Sequence, residues 1–443
     1  MKSLLNPKIR TWLIFLLIVA LPFERLLTFD LAGYTVKISY IVALVFLIVS
    51  FFQLTKRDLS QPVETEELFL FSFVILALAS TFWSIDQGRS VIISTLFLFM
   101  ALLFFFLRRK INQNIVEKSK IIFIWLGVLT SLFALWQFFG DSLHLSAYIY
   151  LRPQYQSGVF GFPRVQSTFL EPLYFANFLL IPLFFNLYQI LHGSNAQFVI
   201  PAKAGIQNSG SRIKSGMTEI KKRGWVYYLT LLIIGTAFFL TLSRGAFIAL
   251  IVGLFVILGF IIFRRRDLIR KFLYGTLVLV GSLTLATISI YAVANRTGIE
   301  KYFGHAAVSD IATGESVLDR KYTMDMAFNQ FLSHPFGIGA GAFGALPEFS
   351  SSIQSEGYQT VNNLYLEVLV EEGFLGLILL AIFFILYLRS LLQESIKGKV
   401  WSIMGVGLVA AFLVQYLFFS TLYIIYIWVV LAILMPKATK ISN

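Results

Sequence analysis

Runs of about 20 apolar residues recur along the whole chain, and this repetition limits the possible folds more than any other feature. A helix of that length crosses the hydrocarbon core of a bilayer. Lipid offers no partners to backbone amides, so a spanning segment must be a helix or part of a closed barrel. The runs are continuous rather than alternating, which favours helices. The chain is therefore predicted to be an all-α, polytopic membrane protein.

The charge distribution supports a membrane protein rather than a nucleic-acid-binding one. The net charge is +13, but charged residues make up only 13% of a chain that is 58% hydrophobic. Lysine and arginine concentrate in short loops between apolar runs, which is the positive-inside pattern of membrane proteins. No nucleic-acid partner is therefore expected. The chain has no cysteine, so it has no disulfide framework and no thiolate chemistry.

The basic loops fix a predicted orientation with both termini in the cytoplasm. We expect about 12 transmembrane helices in one integral membrane domain, residues 1–443. A Gly-, Ser- and Lys-rich stretch at 192–224 is predicted to be a disordered cytoplasmic loop. The predicted spans are residues 11–27, 34–54, 67–83, 90–107, 120–139, 167–191, 225–242, 245–263, 272–294, 363–388, 400–419 and 421–435.

Two polar segments, 140–166 and 295–361, then face the outside. The longer one, 295–361, is the predicted extracytoplasmic loop, and the apolar residues of its 318–331 stretch recur near helical spacing. We therefore expect a short amphipathic helix on the membrane surface. The segment re-enters apolar sequence near Asn362, where acidic residues follow. Ionisable residues at such a position are costly in lipid and indicate a functional site.

Arginines at the predicted outer mouth are the first candidate site residues. Arg164 begins the sequence Arg-Val-Gln-Ser-Thr-Phe-Leu-Glu-Pro, in which Glu171 lies about two helical turns further on. Arg244 lies between two spans with almost no loop, and Arg320 lies in the extracytoplasmic loop. Arginine is suited to bidentate contact with a pyrophosphate. A plain ion pair of Arg164 with Glu171, contact of Arg244 with lipid headgroups and a solvated position for Arg320 are the alternatives.

Four segments in order resemble the O-antigen ligase and polymerase superfamily, over a conserved region at 225–388. They are Thr241-Leu242-Ser243-Arg244-Gly245-Ala246, then Arg320, then His334-Pro335-Phe336-Gly337-Ile338-Gly339, then Asn362-Asn363-Leu364-Tyr365-Leu366 followed by Gly373 and Gly376. The Arg164 segment is similar to the family's first-half arginine and proline cluster. Ligases of the family carry a histidine where this chain has Asn362, and polymerase-like members vary there.

The resemblance implies a membrane glycosyltransferase that polymerises or transfers an oligosaccharide linked to polyprenyl pyrophosphate. It would act in the bacterial inner membrane, facing the periplasm or cell exterior, with a glycan or lipid-core acceptor and with membrane lipids around it. The alternatives are an O-antigen ligase that attaches glycan to lipid A-core or protein, and a secondary transporter or flippase of lipid-linked sugars. Neither a cofactor nor a metal is expected.

The predicted roles divide the candidates into two sets. Arg164, Arg244 and Arg320 would stabilise the pyrophosphate as its charge develops, with Glu171 and Asn363 as further substrate-binding residues. Glu371 is the predicted general base, with Glu367 as its rival, because burial raises the pKa of a carboxyl group. Asn362 cannot take a proton at neutral pH and would only orient the acceptor hydroxyl.

Overall fold

A computed structural model describes residues 7–26, 28–31, 34–53, 61–193, 224–294, 298–300, 315–349 and 359–435. Each predicted span overlaps a helix in this part of the chain. The helices are α1 Pro7–Ala20, α2 Ile38–Phe52, α3 Thr65–Ser80, α4 Gln87–Lys110, α5 Gln113–Ser142, α6 Ser146–Ile149, α7 Ser157–Phe160, α8 Pro172–His192, α9 Gly224–Leu240, α10 Arg244–Arg264, α11 Ile269–Val293, α12 Glu315–Ser333, α13 Leu364–Glu371, α14 Gly373–Ile396, α15 Val400–Gln415 and α16 Ile425–Leu434.

Six helices of the described part are long and apolar enough to cross a membrane. They are Gln87–Lys110, Gln113–Ser142, Pro172–His192, Arg244–Arg264, Arg266–Val293 and Gly373–Ile396, and four shorter apolar helices are α2, α9, α15 and α16. The predicted class, an all-α polytopic membrane protein, is confirmed. The number of 12 crossings stays a prediction. The predicted disordered loop falls almost wholly on residues 194–223, which lie outside the described residues. Residues 295–297, 301–314 and 350–358 of the predicted extracytoplasmic loop also lie outside them.

Two local features differ from the prediction. Strands β1 Thr28–Leu31 and β2 Tyr34–Lys37 pair antiparallel, so α2 begins at Ile38 rather than at the start of the predicted span. Strands of four residues are too short to give a periodic signal. The predicted span 363–388 is divided into α13 and α14 at Gly373, whose φ of 73° is the left-handed conformation that ends helices.

Local sequence explains where the long helices begin and end. The Asp86 side chain accepts a hydrogen bond from the Arg89 backbone N–H at 3.0 Å and so caps α4. Basic residues 108–110 form the last turn of the same helix, where positive charge complements the helix dipole. Pro172 begins α8, at the position where a missing N–H has no cost.

The core is formed around two helices that lie inside the bundle. Every residue of α16 is buried, and α8 is buried from Phe175 to Leu191. Trp428 of α16 packs its ring against those of Phe104 and Phe383, at centroid distances of 5.9 Å in both cases. At the periphery, α11 exposes Leu277 and other large apolar side chains. Such a surface is expected where helices contact lipid.

The loops and helix ends meet in two groups, which we name the outer end and the inner end after the predicted orientation. Hydrogen bonds within each group join elements that are distant in sequence. At the outer end these include Tyr40 Oη to Tyr423 O, Ile85 N to Ile338 O and Arg164 Nη2 to Thr241 O. At the inner end they include Arg108 Nε to Met435 O, Arg265 Nη1 to Gly398 O and Lys271 Nζ to Leu191 O.

Candidate active site at the outer end

Arg164 lies in the segment between α7 and α8. Its backbone N–H donates to the Tyr155 carbonyl at 2.9 Å, and its Nη2 donates to the Thr241 carbonyl at 3.5 Å. The guanidinium carbon lies 5.9 Å from the centre of the Tyr155 ring. The side chain is half-buried. Thr241 belongs to the predicted Ser-Arg-Gly segment, so Arg164 contacts the turn that carries Arg244.

Arg244 is the first residue of α10, at a tight turn after α9. Leu242 has a φ of 53°, a left-handed conformation that a leucine rarely adopts. The Thr241 hydroxyl supports the turn by accepting from the Ser243 N–H at 3.3 Å. A Cβ at Gly245 would lie 2.6 Å from the Phe418 ring, so this position requires glycine. The turn therefore holds Arg244 at the outer end of the bundle.

Arg164, Arg244 and Arg320 interact electrostatically with one another. Burial lowers the pKa of the Arg164 guanidinium, Tyr155 and Glu171 oppose that change, and Arg244 and Arg320 lower the pKa further. Burial likewise lowers the pKa of Arg320, Arg244 adds to the effect and Glu171 opposes it. Such effects require charges that lie near one another. Arginine nevertheless stays protonated at any physiological pH.

Glu171 completes this group from the start of α8. It occupies the N-cap position, immediately before Pro172. Burial raises the pKa of its carboxyl group, whereas Arg152, Arg164 and Arg320 act in the opposite direction. We call Arg152, Arg164, Arg244, Arg320 and Glu171 the arginine cluster. Its members come from the α6–α8 segment, α10 and α12.

Arg152 and Tyr155 are residues of this site that the sequence analysis missed. Both lie in the predicted outer segment 140–166, where Pro153 follows Arg152 directly. Burial and the charge of Glu171 raise the pKa of Tyr155 to about 12, so its phenol stays protonated at neutral pH. The predicted topology could have indicated Arg152, since every arginine of that short outer segment is expected near the same outer end of the bundle.

Asn362 and Asn363 precede α13 and have different structural roles. Asn363 is buried, and its Oδ1 accepts from the backbone N–H groups of Tyr365 at 3.0 Å and Leu366 at 3.2 Å. This is the N-cap interaction that begins a helix. Asn362 is half-buried with a φ of 58°, a conformation that asparagine tolerates better than most residues. The pair thus shapes the return of the chain into α13.

Glu371 holds the glycine-rich segment that follows His334. Its Oε2 accepts from the Gly341 N–H at 2.7 Å and its Oε1 accepts from the Phe343 N–H at 3.2 Å. Gly337, Gly339 and Gly341 all have positive φ, and a Cβ at Gly337 would collide with the Glu371 carbonyl. The glycines therefore allow the backbone to approach α13 closely.

The charges around Glu371 differ from those around Arg164. Glu371 interacts with its neighbours Glu367 and Glu372 and with Arg89 of α4. Arg89 Nε donates to the Gly341 carbonyl at 2.5 Å, and Glu367 Oε2 accepts from the Val361 N–H at 3.0 Å. Glu367, Glu371 and Arg89 therefore hydrogen-bond to backbone groups of the segments before α13, at the outer end of the bundle.

The fold and this site define a multi-pass helical membrane protein with a group of interacting arginines at its outer end. Residues 229–381 match the O-antigen ligase family. Over these residues, the match confirms the resemblance to the O-antigen ligase and polymerase superfamily that was drawn from the sequence. It includes Arg244, Arg320 and Glu371, whereas Arg164 and Glu171 precede it. No curated protein gave a significant match to the chain.

Proposed function

We propose that this protein is a glycosyltransferase that polymerises or transfers a saccharide carried on polyprenyl pyrophosphate at the outer face of the bacterial inner membrane. The observation that supports this proposal is that Arg164, Arg244 and Arg320 interact with one another, and that Arg164 and Arg320 also interact with Glu171. These arginines come from distant parts of the chain. Like charges repel, so an anion bound among these arginines would be stabilised by all of them.

The proposed reaction is a displacement at the anomeric carbon of the donor sugar. The acceptor hydroxyl oxygen forms a bond to that carbon, and the bond from the carbon to the pyrophosphate oxygen breaks. The bonding electron pair leaves on the pyrophosphate, and the acceptor proton passes to a carboxylate. Guanidinium groups placed at the developing charge stabilise the transition state more than the ground state. In this proposal the arginines, rather than a metal ion, take that role.

Two carboxylates are candidates for accepting the proton. Glu171 lies among the arginines, and burial raises its pKa, in the direction that improves a carboxylate as a base near neutral pH. Each carboxylate oxygen of Glu371, the base predicted from the sequence, already accepts a backbone N–H, and these hydrogen bonds favour the ionised form over the protonated one. We therefore propose Glu171 as the base and retain Glu371 as the alternative. Asn362, at the entry to α13, remains proposed to orient the acceptor.

The acceptor decides between a polymerase and a ligase. The matched family is named for O-antigen ligase, which favours attachment of glycan to a lipid core. Asn362 stands where ligases that this chain resembles carry histidine, which favours a polymerase. Glycan from a strain that lacks the protein distinguishes the two: lost chain length indicates a polymerase, and lost attachment with retained length indicates a ligase.

The arginine role is tested by Arg244→Gln in proteoliposomes supplied with a lipid-linked oligosaccharide donor. We expect the transfer rate to fall by about 100- to 1,000-fold, as when one donor to a developing oxyanion is removed. The control is Arg270→Gln, which removes an exposed arginine at the inner end. Full transfer activity in correctly inserted Arg244→Gln protein contradicts the proposal.

The base is assigned by comparing Glu171→Gln with Glu371→Gln. Glu171→Gln is expected to lower kcat by about 100-fold or more and to remove the rise of kcat with pH, since only the ionised carboxylate accepts a proton. Glu371→Gln is expected to lower the unfolding temperature, because its amide cannot accept both backbone N–H groups. If Glu371→Gln instead lowers kcat in a protein of unchanged stability, Glu371 is the base.

A further inference from the structure

A groove of about 470 Å³ lies on the apolar surface of the bundle near its inner end, between α10 and the end of α14. Residues 255, 259 and 263 of α10 line it at intervals of four, as do 256, 260 and 264, so both rows lie on one face of the helix. Ile396 of α14 forms the other side. From 255 to 264 the helix rises roughly 14 Å, which is about half of the ~30 Å hydrocarbon core. The groove therefore extends over the depth of one leaflet.

Gly259 leaves open space in the middle of this groove. A Cβ at Gly259 would meet no atom within 4 Å, whereas a Cβ at Gly253 of the same helix would lie 2.7 Å from the Gly407 carbonyl oxygen of α15. Gly253 therefore allows α10 and α15 to pack closely, and Gly259 has no such role. Phe255 and Phe263, one helical turn before and after Gly259, are 68% and 80% exposed. The missing side chain thus leaves a gap between two exposed aromatic side chains.

Arg264 lines the inner end of the groove and is the last residue of α10. It is exposed, and within the described part of the chain its guanidinium group takes part in no hydrogen bond or ion pair. The next two arginines are engaged with the protein. Arg265 pairs with Asp267 at 2.9 Å, and Arg266 Nε donates to the Ile262 carbonyl at 3.0 Å. Arg264 is therefore available to an anion at the groove.

The protein around Arg264 has an excess of positive charge. Arg265 Nη1 donates to the Gly398 carbonyl at 3.1 Å and so joins segments 264–270 and 394–399. These two segments contain six basic and two acidic residues. Both acidic residues, Asp267 and Glu394, already contact basic side chains. Such a region attracts an anionic lipid headgroup more strongly than a zwitterionic one.

We propose that this groove binds a phospholipid with an anionic headgroup, such as phosphatidylglycerol, from the inner leaflet. The lipid phosphate contacts Arg264, because a planar guanidinium group is suited to bidentate hydrogen bonding with phosphate. One acyl chain lies along α10 and fills the gap at Gly259. The inference is independent of the proposed function, because the groove and the arginine cluster lie at opposite ends of the bundle.

The test measures equilibrium binding of dioleoyl phosphatidylglycerol and dioleoyl phosphatidylcholine to the purified full-length protein in neutral detergent micelles. Arg264→Gln removes the phosphate contact, and Gly259→Leu fills the gap that the acyl chain occupies. Arg270→Gln is the control for charge, since it removes an exposed arginine of the same end that does not line the groove. Gly281→Leu of α11 is the control for volume, since a Cβ at Gly281 also meets no atom within 4 Å. The mass of each protein in its micelle gives its oligomeric state.

We expect Arg264→Gln to bind phosphatidylglycerol at least about tenfold more weakly, as when a charge-assisted contact is lost, with its affinity for phosphatidylcholine unchanged. Gly259→Leu is expected to bind phosphatidylglycerol at least about fourfold more weakly, the equivalent of one buried methylene group. Both controls should bind the two lipids as the unaltered protein does.

Unchanged affinity for phosphatidylglycerol in both groove variants overturns the inference. An equal loss of both lipids in Arg264→Gln also overturns it, because the headgroup charge is then not recognised. The alternative occupant is a second copy of the chain. If Gly259→Leu dissociates a dimer while its lipid binding is unchanged, the groove is a contact between two copies and the lipid site is contradicted.

Discussion

The two ends of the helix bundle each contain a group of arginines, but the two groups differ in their acidic partners. At the inner end, Arg108 contacts Glu66 at 3.1 Å and Glu67 at 3.2 Å, and Arg109 contacts Glu67 at 2.8 Å. These side chains are at most 8% exposed. Among the described residues of the outer arginine cluster, Arg152, Arg164 and Arg320 all interact with the same carboxylate, that of Glu171.

We propose that the balance of charge, rather than burial, distinguishes the structural arginines of the inner end from the arginines that bind the donor. A buried pair with complete hydrogen bonds is held by mutual attraction, and removing one member leaves an uncompensated charge. The inner network has two arginines and two glutamates and so carries no net charge. The described members of the outer cluster are four arginines and one glutamate, and a group with that balance of charge attracts anions.

The largest expected effect comes from breaking the inner network with Glu67→Gln. Glu67 is fully buried and contacts both arginines. The substitution is expected to destabilise the protein by about 3–5 kcal/mol, measured by unfolding in mixed micelles. Transfer activity per folded molecule should be retained. A double variant, Glu67→Leu with Arg109→Met, should recover most of the stability because it leaves fewer unpaired charges.

A smaller effect on stability is expected from Arg320→Gln at the outer end. Removing one of several like charges relieves repulsion by Arg244 and loses attraction to Glu171, so the two changes oppose each other. We expect unfolding to change by less than about 1 kcal/mol, while donor affinity falls. A loss of stability as large as that of Glu67→Gln would show that the outer cluster is also a structural network.

Much of the outer cluster was predictable because topology alone places its members. Arg164, Arg244 and Arg320 all follow from the positions of the apolar runs and the positive-inside pattern, since each falls at a predicted outer end. The inner network was less accessible. As basic residues of a predicted cytoplasmic loop, Arg108 and Arg109 contributed to the predicted membrane orientation. Their pairing with Glu66 and Glu67 depends on how α3 packs against α4, which no local sequence pattern predicts.

The limits of prediction are clearest at α13 and at the outer cavity. The sequence indicates that Glu371 lies in a helix that re-enters the membrane. It does not indicate the hydrogen bonds of Glu371 to Gly341 and Phe343, because these residues lie 28 to 30 positions earlier in the chain. A cavity of about 530 Å³ at the outer end has lining residues from five separate stretches of the chain. Its shape depends on side-chain packing between helices, so hydropathy and motifs could not indicate it.

The most direct measurement of the central claim is the affinity of polyprenyl pyrophosphate for the protein and for Arg164→Gln, both in nanodiscs. Arg164 contacts the turn that carries Arg244 and interacts with Arg244 and Arg320. Its loss should weaken binding by at least about tenfold, because a charge-assisted contact is worth about 1.5–3 kcal/mol. Arg270→Gln serves as the matched control and should bind as the unaltered protein does. Equal affinity in Arg164→Gln would contradict the claim that the outer arginines hold the donor's pyrophosphate.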